Sequence, residues 1–188
     1  MLRSIRRIAL VVAASVGLVG CANEGWKDVD PDPAAVALVA GSEVGSDAEG
    51  LIEQRVGVLL SEAREELGEP YEWGADGLSA WDCSSFVRHA YSEVGIGMPR
   101  TARAQRDWMA NGNGRRVQPG EEQPGDLVFW DDYRGPDEIG HVAMVWDPTD
   151  SSTIEARPPE TGHYDYRSDG HSIFEIWRVE ELFSGSST

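Results

Sequence analysis

The apolar residues of this chain change their period once. Between Ile52 and Val94 they recur at helical spacing: Ile52, Val56, Leu59, Leu60, Ala63 and Leu67, then Phe86, Val87, Ala90, Tyr91 and Val94. From Leu127 onward they gather in short strand-like runs, at 127–130, 142–146, 153–156 and 172–179, separated by turn-forming residues. Helices early and strands late predict an α+β fold, with N-terminal helices packed on a central antiparallel β-sheet. The first helix is expected to open near Asp47 and to close at Gly68 and Pro70, and the second to run from Cys83 until Gly95 stops it. Glu53, Arg55, Glu62, Arg64, Glu65 and Glu66 would form the solvated face of the first.

The opening segment reads as an address. It starts basic (Arg3, Arg6, Arg7), turns apolar from Ile8 to Val19 and ends in Leu18-Val19-Gly20-Cys21. This is the pattern of a bacterial secretory signal over residues 1–20, too short for a permanent membrane span. Its LVGC ending resembles a lipobox, which implies an acylated Cys21 and an exported protein anchored to the membrane of the cell envelope through its N-terminal lipid. Residues 21–48, rich in Asp, Pro, Ala and Gly, read as a flexible tether in which Ala34–Ala40 has the makings of a short helix. The folded domain is then 49–183, and 184–188 a disordered tail.

Charge and cysteine count narrow the chemistry. Sixteen Lys and Arg against 33 Asp and Glu give a net charge of −17, and no basic stripe offsets it. Counterion-release binding to nucleic acid is therefore excluded. Two cysteines in dissimilar contexts do not make a disulfide scaffold, and acylation of Cys21 leaves Cys83 as an odd thiol that needs a reason. His163 and His171 with Asp165 and Asp169 fit no tight ligand spacing, so neither metal nor cofactor is expected.

Cys83 falls where a loop becomes a helix, with Asp82 as a good N-cap. A sulfur there faces the positive end of the helix dipole, which favours the thiolate and makes it a nucleophile. Downstream, Gly140-His141-Val142 opens one strand-like run and Thr153-Ile154-Glu155-Ala156 forms the next. If the two are antiparallel neighbours, His141 and Glu155 project from one face, and thiol, imidazole and carboxylate stand in a row.

The runs PYEWGADGLSAWDCSSFVRHAY, MPRTARAQ, QPGDLVFW, GHVAMVW and TIEA resemble, in order and spacing, the signature blocks of the NlpC family of papain-like cell-wall cysteine peptidases. The resemblance covers most of Pro70–Ala156. It implies a papain-like NlpC fold and hydrolysis of peptidoglycan stem peptides, usually at the bond between the γ-carboxyl of D-glutamate and the diamino acid after it. Position by position, it implies Cys83 as nucleophile, His141 as general base, Glu155 as the group that orients the imidazole and Tyr71 as an oxyanion donor beside the Cys83 backbone N–H.

Two departures stand out. Ser85 replaces the family's usual glycine, with a side chain that would crowd the groove or alter an oxyanion contact. Glu155 replaces a His, Asn or Gln, and its charge should favour a thiolate–imidazolium pair. They leave open a catalytically weak or inactive lipoprotein that binds wall or partner, and an amidase or acyltransferase with the same thiol chemistry. Arg100 and Arg157 are candidates to meet a stem-peptide carboxylate or to form structural ion pairs. Trp73, Trp81, Trp130 and Trp146 are candidates to line a groove or fill the core.

Overall fold

The chain is described from a computed structural model over residues 33–132, 135–167 and 173–184. The expected signal segment, the Cys21 lipidation site, His171, Asp169 and residues 185–188 of the expected tail lie outside these residues. Three helices, α1 (Pro33–Glu65), α2 (Cys83–Glu93) and α3 (Ala102–Trp108), precede the strands, and a π-helical turn follows at Met109–Asn113. Six strands then run as β1 (Gly114–Arg116), β2 (Leu127–Asp132), β3 (Gly135–Asp147), β4 (Ser152–Arg157), β5 (Glu160–Asp165) and β6 (Ile173–Val179). They form one sheet in the order β1-β6-β2-β3-β4-β5, with every neighbouring pair antiparallel.

Both faces of this sheet are covered, which explains why its central strands read as unbroken apolar runs. Leu127, Phe129, Val142, Met144, Ile154 and Ala156 share a core cluster with Leu59 and Ala63 of α1 and with Phe86, Val87, Ala90 and Tyr91 of α2. The alternate residues Val128, Trp130, Ala143 and Val145 join Val117, Tyr166 and Ile176 in a second cluster. Fully burying a side chain such as Phe86 or Met144 contributes about 1.5–3 kcal/mol. The helical stripe of α1 is thus anchored at Leu59 and Ala63, whereas Leu67 lies past the helix end and is exposed.

Two expectations need correction. Helix α1 begins at Pro33, well inside the stretch read as a tether; proline suits the first turn of a helix, and the Ala-Ala-Val-Ala-Leu run behind it lacks any breaker. No helix of the described residues is long and apolar enough to cross a membrane. The face of α1 read as solvated is partly engaged: Arg55 donates to the Glu181 carbonyl at 2.5 Å, and Glu66 just beyond the helix accepts from Trp81 Nε1 at 2.9 Å. Helix α3 and strands β1 and β5 had no apolar signature, because β1 and β5 are the two sheet edges and are largely polar.

The loop from Glu69 to Trp81 is held at both ends. Tyr71 N–H donates to the Pro159 carbonyl at 2.9 Å and Trp81 N–H to the Pro70 carbonyl at 2.9 Å. Gly77 sits at φ +94° with the Trp81 ring where a Cβ would be, so only glycine fits this turn.

Candidate active site

Cys83 is the first residue of α2 and Asp82 its N-cap. Asp82 Oδ1 accepts from Ser85 N–H at 2.8 Å, and Ser85 Oγ accepts from Asp82 N–H at 3.0 Å, a reciprocal capping box worth about 1 kcal/mol. The Ser85 hydroxyl also donates to the Asp82 carbonyl. Ser85 is therefore buried and consumed by the helix start, and it does not crowd the groove as expected. Arg100 fixes the cap from outside: its guanidinium donates to both Asp82 carboxylate oxygens at 3.0 and 2.8 Å, to Ser84 Oγ at 3.1 Å and to the Ala75 carbonyl at 2.7 Å. Desolvation would raise the Asp82 carboxyl; the bonds from Arg100, Ser85 and Ser84 outweigh it and hold the group below its ordinary value.

The imidazole and the carboxylate ride on one hairpin. Met144 pairs with Ile154 across β3 and β4, which sets Glu155 opposite Ala143 and puts His141 on that same face. Trp130 pairs with His141 but Asp131 with Ile139, so Gly140 is the extra residue of a bulge directly before the histidine. His141 Nε2 is hydrogen-bonded to Glu155 Oε2, and the other carboxylate oxygen accepts from Thr153 Oγ1 at 2.7 Å. With Nε2 so engaged, Nδ1 is left for the sulfur of Cys83. Burial pushes the imidazole down, but the charge and hydrogen bond of Cys83, followed by those of Glu155, push it up to about 10. The structure thus brings Cys83, His141 and Glu155 together. Tyr71 stands by the sulfur: burial first, then the charges of Cys83 and Asp82, push its phenol up to about 12, so it remains a hydrogen-bond donor.

Cys83 is only 5 % exposed, but it lines a cleft of about 470 Å³. Its lining comes from three stretches of chain: Trp73 and Gly74 with Asp82 and Ser84, then Arg100, Ala102 and Arg103, then Glu138, Ile139 and Gly140. Of the four tryptophans considered, only Trp73 lines this cleft. Trp81 stacks on His89, Trp130 packs against His141, and Trp146 meets His163 edge-on. Arg157 lies over the Tyr164 ring at 4.4 Å, away from the cleft lining, and Arg100 is saturated by the contacts above, so neither is placed to receive a substrate carboxylate. Arg103 and Glu138 escaped the sequence reading because they are 35 residues apart in the chain and nothing in PRTARAQ marks Arg103 over Arg100. A larger groove of about 840 Å³, between α1 and the β1–β6 edge, is lined by no cysteine or histidine.

With this arrangement in view, comparison with known proteins is informative. Residues 68–168 match the NlpC/P60 family. Over 82 residues the chain is 37 % identical to the probable endopeptidase p60 of Listeria innocua, an alignment that covers 44 % of this chain and 16 % of that protein. It is 32 % identical over 104 residues to the peptidoglycan endopeptidase RipB of Mycobacterium tuberculosis, covering 48 % of this chain and 39 % of RipB. A crystal structure of a lipoprotein-like NLP/P60 family protein from Staphylococcus aureus superposes with a TM-score of 0.55 at 27 % identity, covering 67 % of this chain and 41 % of that one. The chain thus spans about a sixth of the length of the p60 relative and well under half of RipB. The match takes in the helix that Cys83 opens and the hairpin that carries His141, and on that footing the chain belongs to the NlpC/P60 family.

Proposed function

We propose that this chain is a cell-wall cysteine peptidase that hydrolyses an amide bond in peptidoglycan stem peptides, at the bond between a γ-linked D-glutamyl residue and the following diamino acid. The observation that carries this reading is that Cys83, which lines an open cleft, interacts with His141, and that His141 is in turn hydrogen-bonded to Glu155. The Cys83 thiolate attacks the amide carbon, forming an S–C bond, while the Cys83 backbone N–H and the Tyr71 hydroxyl face the developing oxyanion. The C–N bond then breaks, and the amine leaves with the proton of the His141 imidazolium. Water attacks the thioester, gives its proton to the imidazole and releases the carboxylic acid and the thiolate. Acylation of Cys21 would hold the exported domain at the membrane, within reach of the wall.

Digestion of purified peptidoglycan by residues 22–188, followed by mass spectrometry of the fragments, tests the reading. New fragments ending in a free γ-glutamyl carboxyl support it; a profile identical to that of undigested material overturns it. For the anchor, a lipid mass on the N-terminal peptide of the exported protein is expected, and Cys21→Ser should remove it.

Glu155 bears on how the imidazole is held. Glu155→Gln keeps an acceptor for His141 Nε2 but removes the charge, and exchanging a charged for a neutral hydrogen bond costs about 1.4 kcal/mol, or tenfold in turnover. The same change should lower the His141 value of about 10, read from its ring resonances by NMR. The sign for stability follows from the upward shift. A histidine near 6.5 when unfolded and near 10 when folded stabilises the fold fully below pH 6.5; this contribution declines above that and is gone once pH passes about 10. Denaturant midpoints between pH 6 and 10.5 should fall less steeply in Glu155→Gln than in the parent.

A further inference from the structure

Building on the peptidase reading, we propose that Arg103 is a specificity residue that binds a free carboxylate of the stem peptide when the scissile amide lies over Cys83. Both residues line the same cleft. Its other cation, Arg100, is committed to Asp82, Ser84 and the Ala75 carbonyl and also lies 3.3 Å from Asp76. Arg103, one residue into α3, is exposed and has no ion-pair partner among the described residues. Glu138, which lines the same cleft, is acidic and exposed, and this leaves Arg103 as the lining residue that attracts a carboxylate. The protein carries a net charge of −17, so an anionic peptide is opposed over most of its surface and attracted where a guanidinium stands uncommitted.

The chemistry of the proposed substrate supplies the ligand. A glutamyl residue linked through its γ-carboxyl keeps its α-carboxylate free, next to the bond to be cut. A diamino acid with two carboxyl groups offers a second one on the other side of that bond. Either presents two oxygens in a plane, which a guanidinium fork binds through parallel hydrogen bonds.

Three synthetic peptides separate these sources: the parent with both carboxylates, an analogue with an α-carboxamide on the glutamyl residue, and one with lysine as the diamino acid. Calorimetric binding of each to Cys83→Ala and to Cys83→Ala/Arg103→Gln reads recognition without requiring turnover. Loss of one charged hydrogen-bonded pair should weaken the parent about tenfold in the Arg103→Gln background. The analogue lacking the bound carboxylate should already be about tenfold weaker and lose nothing further; whichever analogue behaves so identifies the carboxylate. Arg103→Lys should recover part of the parent's affinity. Equal affinities of the parent in the two backgrounds, or equal losses across all three peptides, would overturn the assignment. Turnover of the parent peptide by the protein with Cys83 intact is scored separately: its absence refutes the peptidase reading and leaves the binding result to judge Arg103.

Discussion

Cys83→Ala is expected to lower hydrolysis of peptidoglycan stem peptides by a factor of about 10⁴ or more, with the fold unchanged. Removing the nucleophile of a catalytic set that acts as a unit leaves only the residual rate from binding and oxyanion contacts. His141→Ala should cost about as much, because the same ring must activate the sulfur and then protonate the departing amine. The double variant should be no slower than either single one, since the two groups do one job. The fold should survive because Cys83 sits at a helix start, where the Asp82–Ser85 capping box and the Arg100 contacts do not involve the sulfur. Single-turnover assays on a defined peptide measure the loss, and thermal denaturation checks the fold. The His141 resonance offers a third readout: with the sulfur gone, the strongest influence raising its value is removed, and it should titrate well below 10. Unchanged turnover in Cys83→Ala would refute thiol catalysis outright.

The largest effect on stability is expected far from the sulfur, at Asp126. This carboxylate is fully buried and receives Arg178 Nε and Nη2 on its two oxygens at 2.7 Å each, while Gln123 N–H donates to Oδ2 at 2.8 Å. Burial pushes the Asp126 carboxyl above its ordinary value, in spite of the opposing hydrogen bonds from Arg178 and Gln123. Asp126→Ala would strand the Arg178 guanidinium, itself nearly buried, which among the described residues would keep the Glu121 carbonyl at 2.9 Å and the Phe183 ring. Breaking such a pair from one side costs about 3–5 kcal/mol, which for a domain of this size lowers the melting temperature by roughly 10 °C. Replacing both partners, as Asp126→Leu with Arg178→Met, should recover most of the loss, because no unpaired charge then remains inside. A melting temperature of Asp126→Ala within 2 °C of the parent would contradict this account.

How much of this was legible in the sequence depends on where the signal came from. The start of α2 was readable because an aspartate stands before a run with apolar spacing, and the central strands were readable because their residues are buried on both faces. The edges were not: β5 reads Glu-Thr-Gly-His-Tyr-Asp, and its strand character comes from the partner strand β4 and not from apolar alternation. The length of α1 was missed because Asp, Pro and Gly in its first half outweighed a run of good helix formers. At the site, the antiparallel pairing of β3 and β4 that the sequence could only assume is present, and it sets His141 and Glu155 side by side. The duty of Ser85 was not legible, and for Arg100 the structural ion pair was among the readings but its partner Asp82 was not. Both are fixed by the three-dimensional closure of the loop onto the helix start, and spacing along the chain carries no trace of that closure.

The thiol, imidazole and carboxylate of the site belong to two mechanical bodies. His141 and Glu155 share a hairpin, whereas the sulfur belongs to a helix that meets that hairpin through a seam including Phe86, Ala90, Met144 and Ile154 of one core cluster. Alignment of the reacting atoms is therefore calibrated by hydrocarbon, and a single methylene trimmed from that seam would detune the chemistry before it loosened the molecule.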